Sequence, residues 1–234
     1  MNKKFLEYFI KDELKLEVSD ETLSKFSTYE RLLREWNEKF NLTAILDDDG
    51  ILEKHFIDSI YSIKYVDFLD KSLCDIGSGA GFPGVPLAIL IPSLKVTLVE
   101  SNGKKVTFLN ELKKILELDN IEVIQARAEE LKDKKETFDL VSARAVTQLN
   151  VLSELSIPLL KVKGKLVAYK LYDVEEEIGL ATRALKELDS KIDDIFKYHL
   201  PMSSDGRSLV IISKEKATKK RYPREYSQIS KSPL

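Results

Sequence analysis

Two hydrophobic periods divide the chain. Over the first 70 residues apolar side chains recur every three or four positions, the spacing that gathers them on one helix face. Phe5, Leu6, Phe9, Ile10 and Leu14 mark one helix. A second, capped by Ser19 or Asp20, carries Leu23, Phe26, Tyr29, Leu33, Trp36 and Phe40. Asp47, Asp48 and Asp49 are candidate caps of a third, whose narrow band is Ile51, Leu52, His55, Phe56, Ser59 and Ile60. From Ser72 the pattern changes. The short apolar runs SLCDI, KVTLVE, IEVIQA, FDLVSA and KLVAYK read as strands, and Lys104–Leu118, Leu149–Leu160 and Val174–Leu188 read as helices. Alternation of this kind predicts a mainly parallel sheet with helices on both faces. KIDDIFKYHL and RSLVIIS, around Pro201 and Gly206, read as neighbouring antiparallel strands that close it. The expected organisation is a helical extension over 1–70, an α/β domain over 71–213 and a tail over 214–234.

The densest chemistry lies where the first strand, Leu73–Ile76, ends. Four of nine glycines fall in Asp75-Ile-Gly77-Ser-Gly79-Ala-Gly81-Phe82-Pro83-Gly84, and a helix is expected from about Pro83. Glycines there let the backbone turn sharply and approach a ligand closely. Ligands of doubly wound sheets bind in the crevice beyond the strand ends. Two ligand classes fit. Gly79-x-Gly81-x-x-Gly84 formally matches a dinucleotide fingerprint, whereas Asp-x-Gly-x-Gly-x-Gly matches the loop of S-adenosylmethionine-dependent methyltransferases. Asp75 favours the second, because its carboxylate can hold the loop and face a cationic methionine end. No Gly-Lys-Ser/Thr follows, which excludes a P-loop. Glu100, at the end of the second strand, stands where an acid accepts hydrogen bonds from ribose hydroxyls. Arg127-Ala128-Glu129-Glu130, after the third strand, is the loop beside which methyltransferases of this type place adenine.

The segment after the fourth strand, Ser142-Ala143-Arg144-Ala145, faces the methyl acceptor in such a fold. It has no Asn/Asp-Pro-Pro-Tyr for an exocyclic amine. The single cysteine, Cys74, sits mid-strand as a core thiol, so no second cysteine serves pyrimidine C5 chemistry. Arg144 cannot act as a base. The reaction is therefore expected to need no side-chain general base, and a ring nitrogen with a free lone pair, such as guanine N7, fits as acceptor.

Composition changes the picture in two places. Apolar residues are 43% and charged residues 32%, enough for a sizeable core, and one cysteine with two histidines argues against a metal site. No apolar stretch has the length of a signal peptide or membrane span, so a cytoplasmic protein is expected. The net charge of −2 hides a gradient: −6 over 1–70, −1 over 71–213 and +5 over 214–234. The tail reads either as a solvated end or as a basic arm for phosphates, with Tyr222 and Tyr226 available to stack on bases.

Trp36-Asn37-x-x-x-Asn41-Leu-Thr43-Ala-Ile45, Lys54-His55-Phe56-x-Asp58-Ser59, Asp75-Ile-Gly-Ser-Gly-Ala-Gly-Phe-Pro-Gly-Val-Pro-Leu87, Glu100-Ser-x-x-Lys104-Lys105, Arg127-Ala-Glu-Glu130, Ser142-Ala-Arg-Ala145 and Tyr222-Pro-Arg224 together resemble the RsmG family, the small-subunit ribosomal RNA methyltransferases G, over nearly the whole chain. The resemblance implies a Rossmann-like class I fold with a seven-stranded sheet, S-adenosyl-L-methionine as cofactor, and methylation of N7 of the guanosine at position 527 of 16S rRNA, in the 530 loop. It implies 16S rRNA or the 30S subunit as partner; no membrane association and a monomeric state are expected alongside it. It carries the family's cofactor contacts onto Gly77, Phe82, Ala128, Glu129 and Arg144, which join Asp75, Gly79, Gly81 and Glu100 as candidate cofactor residues. Loss of activity in the family gives low-level streptomycin resistance. Two positions depart from the family pattern: Leu171 follows Lys170 where glycine is usual, and the tail reads Tyr222-Pro-Arg-Glu-Tyr-Ser227. Asn41, His55 and Asp58 are candidate substrate groups, His55 alternatively a satisfied core histidine. A non-catalytic RNA-binding module on the same fold, or a nicotinamide-dependent oxidoreductase, are the competing functions.

Overall fold

A computed structural model describes residues Met1–Leu234. The N-terminal helices form as the periodicity requires. α1 (Lys3–Tyr8) runs on into a wide π turn at Phe9–Glu13. α2 (Asp20–Phe40) starts at Ser19, whose side chain accepts from the Thr22 amide, and stops at Asn41, which turns left-handed at φ 48°. Asp47 caps the third helical rod by accepting from the Gly50 amide at 2.7 Å. That rod comprises α3 (Asp48–Gly50), a π-helical stretch Ile51–Ile57 and α4 (Asp58–Ile60). Ile51, Leu52, Glu53, His55, Phe56 and Ile57 are all buried, so this rod is enclosed on more than one face.

Seven strands follow: β1 (Ser72–Ile76), β2 (Lys95–Glu100), β3 (Ile121–Gln125), β4 (Phe138–Arg144), β5 (Leu160–Leu171), β6 (Ser190–His199) and β7 (Gly206–Lys214). They lie in the order β3-β2-β1-β4-β5-β7-β6. The first five are parallel, and β7 is antiparallel to both β5 and β6. The expected antiparallel closing pair is present. The helices are α5 (Gly84–Leu90), α6 (Gly103–Ile115), α7 (Leu149–Ser156), α8 (Glu175–Glu187) and α9 (Tyr226–Lys231). No helix is long and apolar enough to cross a membrane.

One core layer joins α5 and α6 to the N-terminal helices in a single cluster that runs from Leu6 through Tyr29 and Phe56 to Ile211. The other gathers α7, α8 and α9 on the opposite face. The N-terminal segment thus shares its hydrophobic interior with the sheet.

Two expectations change. The helix read as Leu149–Leu160 ends at Ser156, and Leu160 opens β5. Pro158 lacks an amide donor and crowds the preceding turn, so the chain tightens into a 3₁₀ turn at Ile157–Leu159. The tail is neither frayed nor a free arm. Tyr222 is 3% exposed and Ile229 is buried, so Tyr222 is closed to base stacking. Lys214, Lys216, Lys219, Arg221 and Arg224 each pair with an acid of the preceding domain. Arg224 clasps Glu154, itself fully buried, through its backbone amide, Nε and Nη2 at 2.6–3.0 Å.

Candidate active site

The glycine loop leaves β1 at the centre of the sheet, where Asp75 registers with Leu98 of β2 and Ser142 of β4. Gly77, Gly79 and Gly81 all have positive φ, at 65°, 60° and 101°. A Cβ on Gly77 would stand 2.8 Å from Val146 Cγ2, whereas one on Gly79 would meet nothing nearer than the Gly77 carbonyl at 3.9 Å. The backbone at Gly79 therefore borders open space that a ligand can approach.

Two carboxylates hold this loop. Asp75 accepts from the Gly84 amide at 3.1 Å and from Ser142 Oγ at 2.7 Å. Burial lifts its pKa from 3.8 to about 6 against the hydrogen bonds from Ser142 and Gly84. The loop-holding role read from the sequence is present, but the carboxylate is wholly enclosed. Glu100 accepts from the Gly79 amide at 2.9 Å and the Asn102 amide at 2.8 Å. It sits at the end of β2 beside the loop. Glu129 is buried in the 3₁₀ turn Ala128–Glu130, after β3.

Arg144, from the end of β4, reaches into the N-terminal helices. Its Nη1 donates to the Lys54 carbonyl at 2.8 Å and to Asp58 Oδ2 at 3.0 Å, and its Nη2 lies 3.4 Å from His55 Nδ1. A guanidinium only donates, so Nδ1 accepts and the imidazole proton sits on Nε2, 2.8 Å from Thr43 Oγ1. Asp58 also accepts from the Tyr198 hydroxyl at 2.8 Å. Burial, reinforced by the Arg144 charge, pushes the His55 pKa down to about 3. His55 is thus a neutral, hydrogen-bonded group near neutral pH. Its ring stacks on Phe82 at 4.5 Å, and Phe82 also stacks on Tyr29 at 5.2 Å, with the Arg144 guanidinium 5.2 Å from its centroid. The Phe82 ring is committed to this stack, which leaves its main chain as the part that a ligand in the crevice would meet.

Beyond the ends of β4 and β5 lies an open cleft of about 780 Å³. Lys54, Arg144, Lys170 and Arg207 line it together with Asp58, Asp173, Glu176 and Glu177, so its formal charges balance. Lys170 donates to the Thr147 carbonyl at 2.7 Å and pairs with Glu177, which fixes the loop after β4. Val146 lines this cleft and touches the Gly77 backbone region, so cleft and glycine loop adjoin. His55 and Asp58 reach the cleft, but Asn41 does not line it and serves as the left-handed stop of α2. Leu171 stands exposed on its rim. Cys74 is buried mid-strand, and burial pushes its thiol pKa far up. Sequence reasoning missed Tyr29, Tyr198 and Lys170 as parts of this region. Tyr29 occupies an ordinary stripe position on α2, and the contacts of the other two are made only by the folded sheet.

Residues 22–210 match the family model GidB, described as rRNA small subunit methyltransferase G. A ribosomal RNA small subunit methyltransferase G of Staphylococcus saprophyticus subsp. saprophyticus is 44% identical over 222 residues, 94% of this chain and 93% of that one. The protein of the same name from Bacillus subtilis (strain 168) is 42% identical over 223 residues, again 94% and 93%. Among solved structures, M. jannaschii TYW2 in complex with AdoMet matches with a TM-score of 0.55 at 18% identity, over 72% of this chain and 76% of that chain. A SAM dependent methyltransferase from Aquifex aeolicus matches with a TM-score of 0.55 at 18% identity, over 72% and 95%. These two share the Rossmann-like class I fold.

Proposed function

The chain belongs to the rRNA small subunit methyltransferase G family, and on that premise we propose that it methylates small-subunit rRNA with S-adenosylmethionine, at N7 of the guanosine at position 527 in the 530 loop of 16S rRNA. Bound S-adenosylmethionine supplies an electrophilic methyl group on a sulfonium. Gly77, Gly79, Gly81 and the Phe82 main chain would border it, Glu100 would face its ribose, and Ala128 and Glu129 would lie beside its adenine. The observation that carries the N7 reading is that no buried or half-buried proton acceptor of the cleft beside the glycine loop is free, the unengaged carboxylates Asp173 and Glu176 being exposed on its rim. His55 is held neutral with its Nδ1 turned to Arg144. Asp58 is occupied by Arg144 and Tyr198, and Glu177 by Lys170. Guanine N7 needs no deprotonation, so orientation of the base and electrostatics of the cleft supply the rate. The alkylated purine is cationic, and Asp173 and Glu176 on the rim give it carboxylates to face. Arg144 braces the cleft wall against the N-terminal helices in this reading.

The test is incubation of the protein with isotope-labelled S-adenosylmethionine and 30S subunits, or free 16S rRNA, from a strain lacking the enzyme. Nuclease digestion and mass spectrometry should find label in 7-methylguanosine within the fragment that contains position 527. Label in N6-methyladenosine or a methylated cytosine would refute the acceptor assignment. Absence of transfer to either RNA form, with cofactor bound, would favour a non-catalytic RNA-binding module.

A further inference from the structure

Tyr29 lies in α2, outside the sheet domain, yet it touches three successive residues of the glycine loop. Its hydroxyl donates to the Ala80 carbonyl at 2.5 Å. Its oxygen stands 2.6 Å from where a Cβ on Gly81 would be placed. Its ring lies nearly parallel to that of Phe82, with centroids 5.2 Å apart and planes 11° apart. The side chain is fully enclosed, and Phe56 packs against the same ring at 5.3 Å. Elsewhere the loop is held from the sheet side: Asp75 takes the Gly84 amide, Glu100 the Gly79 amide, and Ser78 Oγ donates to the Asp75 carbonyl. The Ala80–Phe82 stretch has its side-chain tether from α2 instead. Burial raises the Tyr29 phenol pKa well above 10, so it donates at all working pH values.

We propose that Tyr29 is a positioning residue for the methyl-donor site: its hydroxyl and ring set the backbone of Ala80–Phe82 and hold the loop in the shape that receives the cofactor. The inference rests on the reading of this loop as the methyl-donor site. It makes the N-terminal helices a structural part of that site. An enclosed carbonyl that loses its donor must find another or turn toward water. Ala80 can do so only by moving the loop, since the surrounding atoms are packed.

Tyr29→Phe removes the hydroxyl and keeps the ring. Calorimetry with S-adenosylhomocysteine should show binding weakened about five- to twentyfold, the range that one lost buried hydrogen bond produces. The KM for the methyl donor should rise by the same factor while the rate at saturation stays within about twofold, since the hydroxyl touches no reacting atom. Amide exchange at Gly81 and Phe82 should be faster in the free variant and return to the wild-type value when S-adenosylhomocysteine saturates it. Phe26→Leu, on the same helix and packed on Phe56, loosens the core without touching the loop and should keep wild-type affinity. Unchanged affinity and exchange in Tyr29→Phe would overturn the proposal, as would equal weakening in Phe26→Leu. Failure of the wild-type protein to bind S-adenosylhomocysteine would instead overturn the methyl-donor reading, and this inference with it.

Discussion

Replacing His55 by glutamine removes one of two buried ionisable groups that titrate in opposite senses. In the folded chain burial and the Arg144 charge hold His55 at about 3, down from 6.5, and burial holds Asp75 at about 6, up from 3.8. Between pH 6.5 and about 3 the unfolded chain binds a proton at His55 that the folded chain does not. His55 therefore gives stability that is whole above pH 6.5 and falls by about 1.4 kcal/mol for each unit of acidification below it. Asp75 does the reverse between about 6 and 3.8, where the folded chain holds a proton that the unfolded chain has lost. Acidification across that window restores about 1.4 kcal/mol per unit. The two slopes nearly cancel around pH 5 in the wild-type chain, and His55→Gln exposes the Asp75 slope. The other groups contribute alike to both chains and drop out of the difference. Unfolding free energies from urea titrations at half-unit steps from pH 4.0 to 7.5 should move in the variant's favour by about 3 kcal/mol from pH 6.5 to 4. Loss of the ring stacked on Phe82 shifts this difference by a constant and leaves its slope alone. A difference curve that is flat between pH 4 and 6.5 would mean that His55 protonates freely in the folded chain. His55 would then stand as a base poised near neutrality at the cleft, against the N7 reading.

Gly77→Val places a β-branched side chain at φ 65° against Val146, and should abolish S-adenosylhomocysteine binding in a variant that still melts cooperatively; retained affinity would remove Gly77 from the cofactor site. Arg224→Gln leaves Glu154 buried without its countercharge and should cost about 3 kcal/mol by urea unfolding; a loss below about 0.5 kcal/mol would show that the clasp is screened by water. The single-turnover methyl-transfer rate should be nearly flat between about pH 6.5 and 8.5, and His55→Gln should lower it by less than the roughly 10²-fold loss of a general base. A tenfold rise per pH unit that disappears in His55→Gln would place a base in the cleft.

The parts of this molecule that the sequence made legible are those whose signal is local. The change of hydrophobic period near Ser72 marks the start of the sheet. Three positive-φ glycines within five residues mark the loop, and Glu100 is found by counting from it. What stayed hidden depends on contacts between distant segments. Arg144 meets Asp58 across 86 positions, and Tyr29 meets Ala80 across 51. Neither residue type nor spacing distinguishes Tyr29 from Phe26 or Leu33 on the same stripe, because a helix face reports burial and not what it is buried against. Pro158, by contrast, was a local signal for the early end of α7.

The C-terminal tail shows why net charge by segment misleads. Its +5 suggested a polyanionic partner, yet Lys214, Lys216, Lys219, Arg221 and Arg224 find Glu136, Asp189, Glu187 and Glu154 in the domain they pack on. A charged segment implies an external partner only when its countercharges lie outside the chain. Here the chain as a whole is close to neutral, and the sheet domain carries the acids that the tail meets. The partial exception is Tyr226, which is exposed and lies beneath the Arg127 guanidinium at 5.4 Å. That contact brings the tail against the loop proposed to border adenine. Removal of residues 214–234 should therefore act first on folding and on the cofactor side of the site. Truncation after Ser213 uncovers the apolar surface under Tyr222 and Ile229 and strands Glu154, so its melting temperature should fall before any salt dependence of RNA binding is measured. A truncated chain that melts like the full one, yet binds RNA with a shallower salt dependence, would restore the basic-arm reading that the packing argues against.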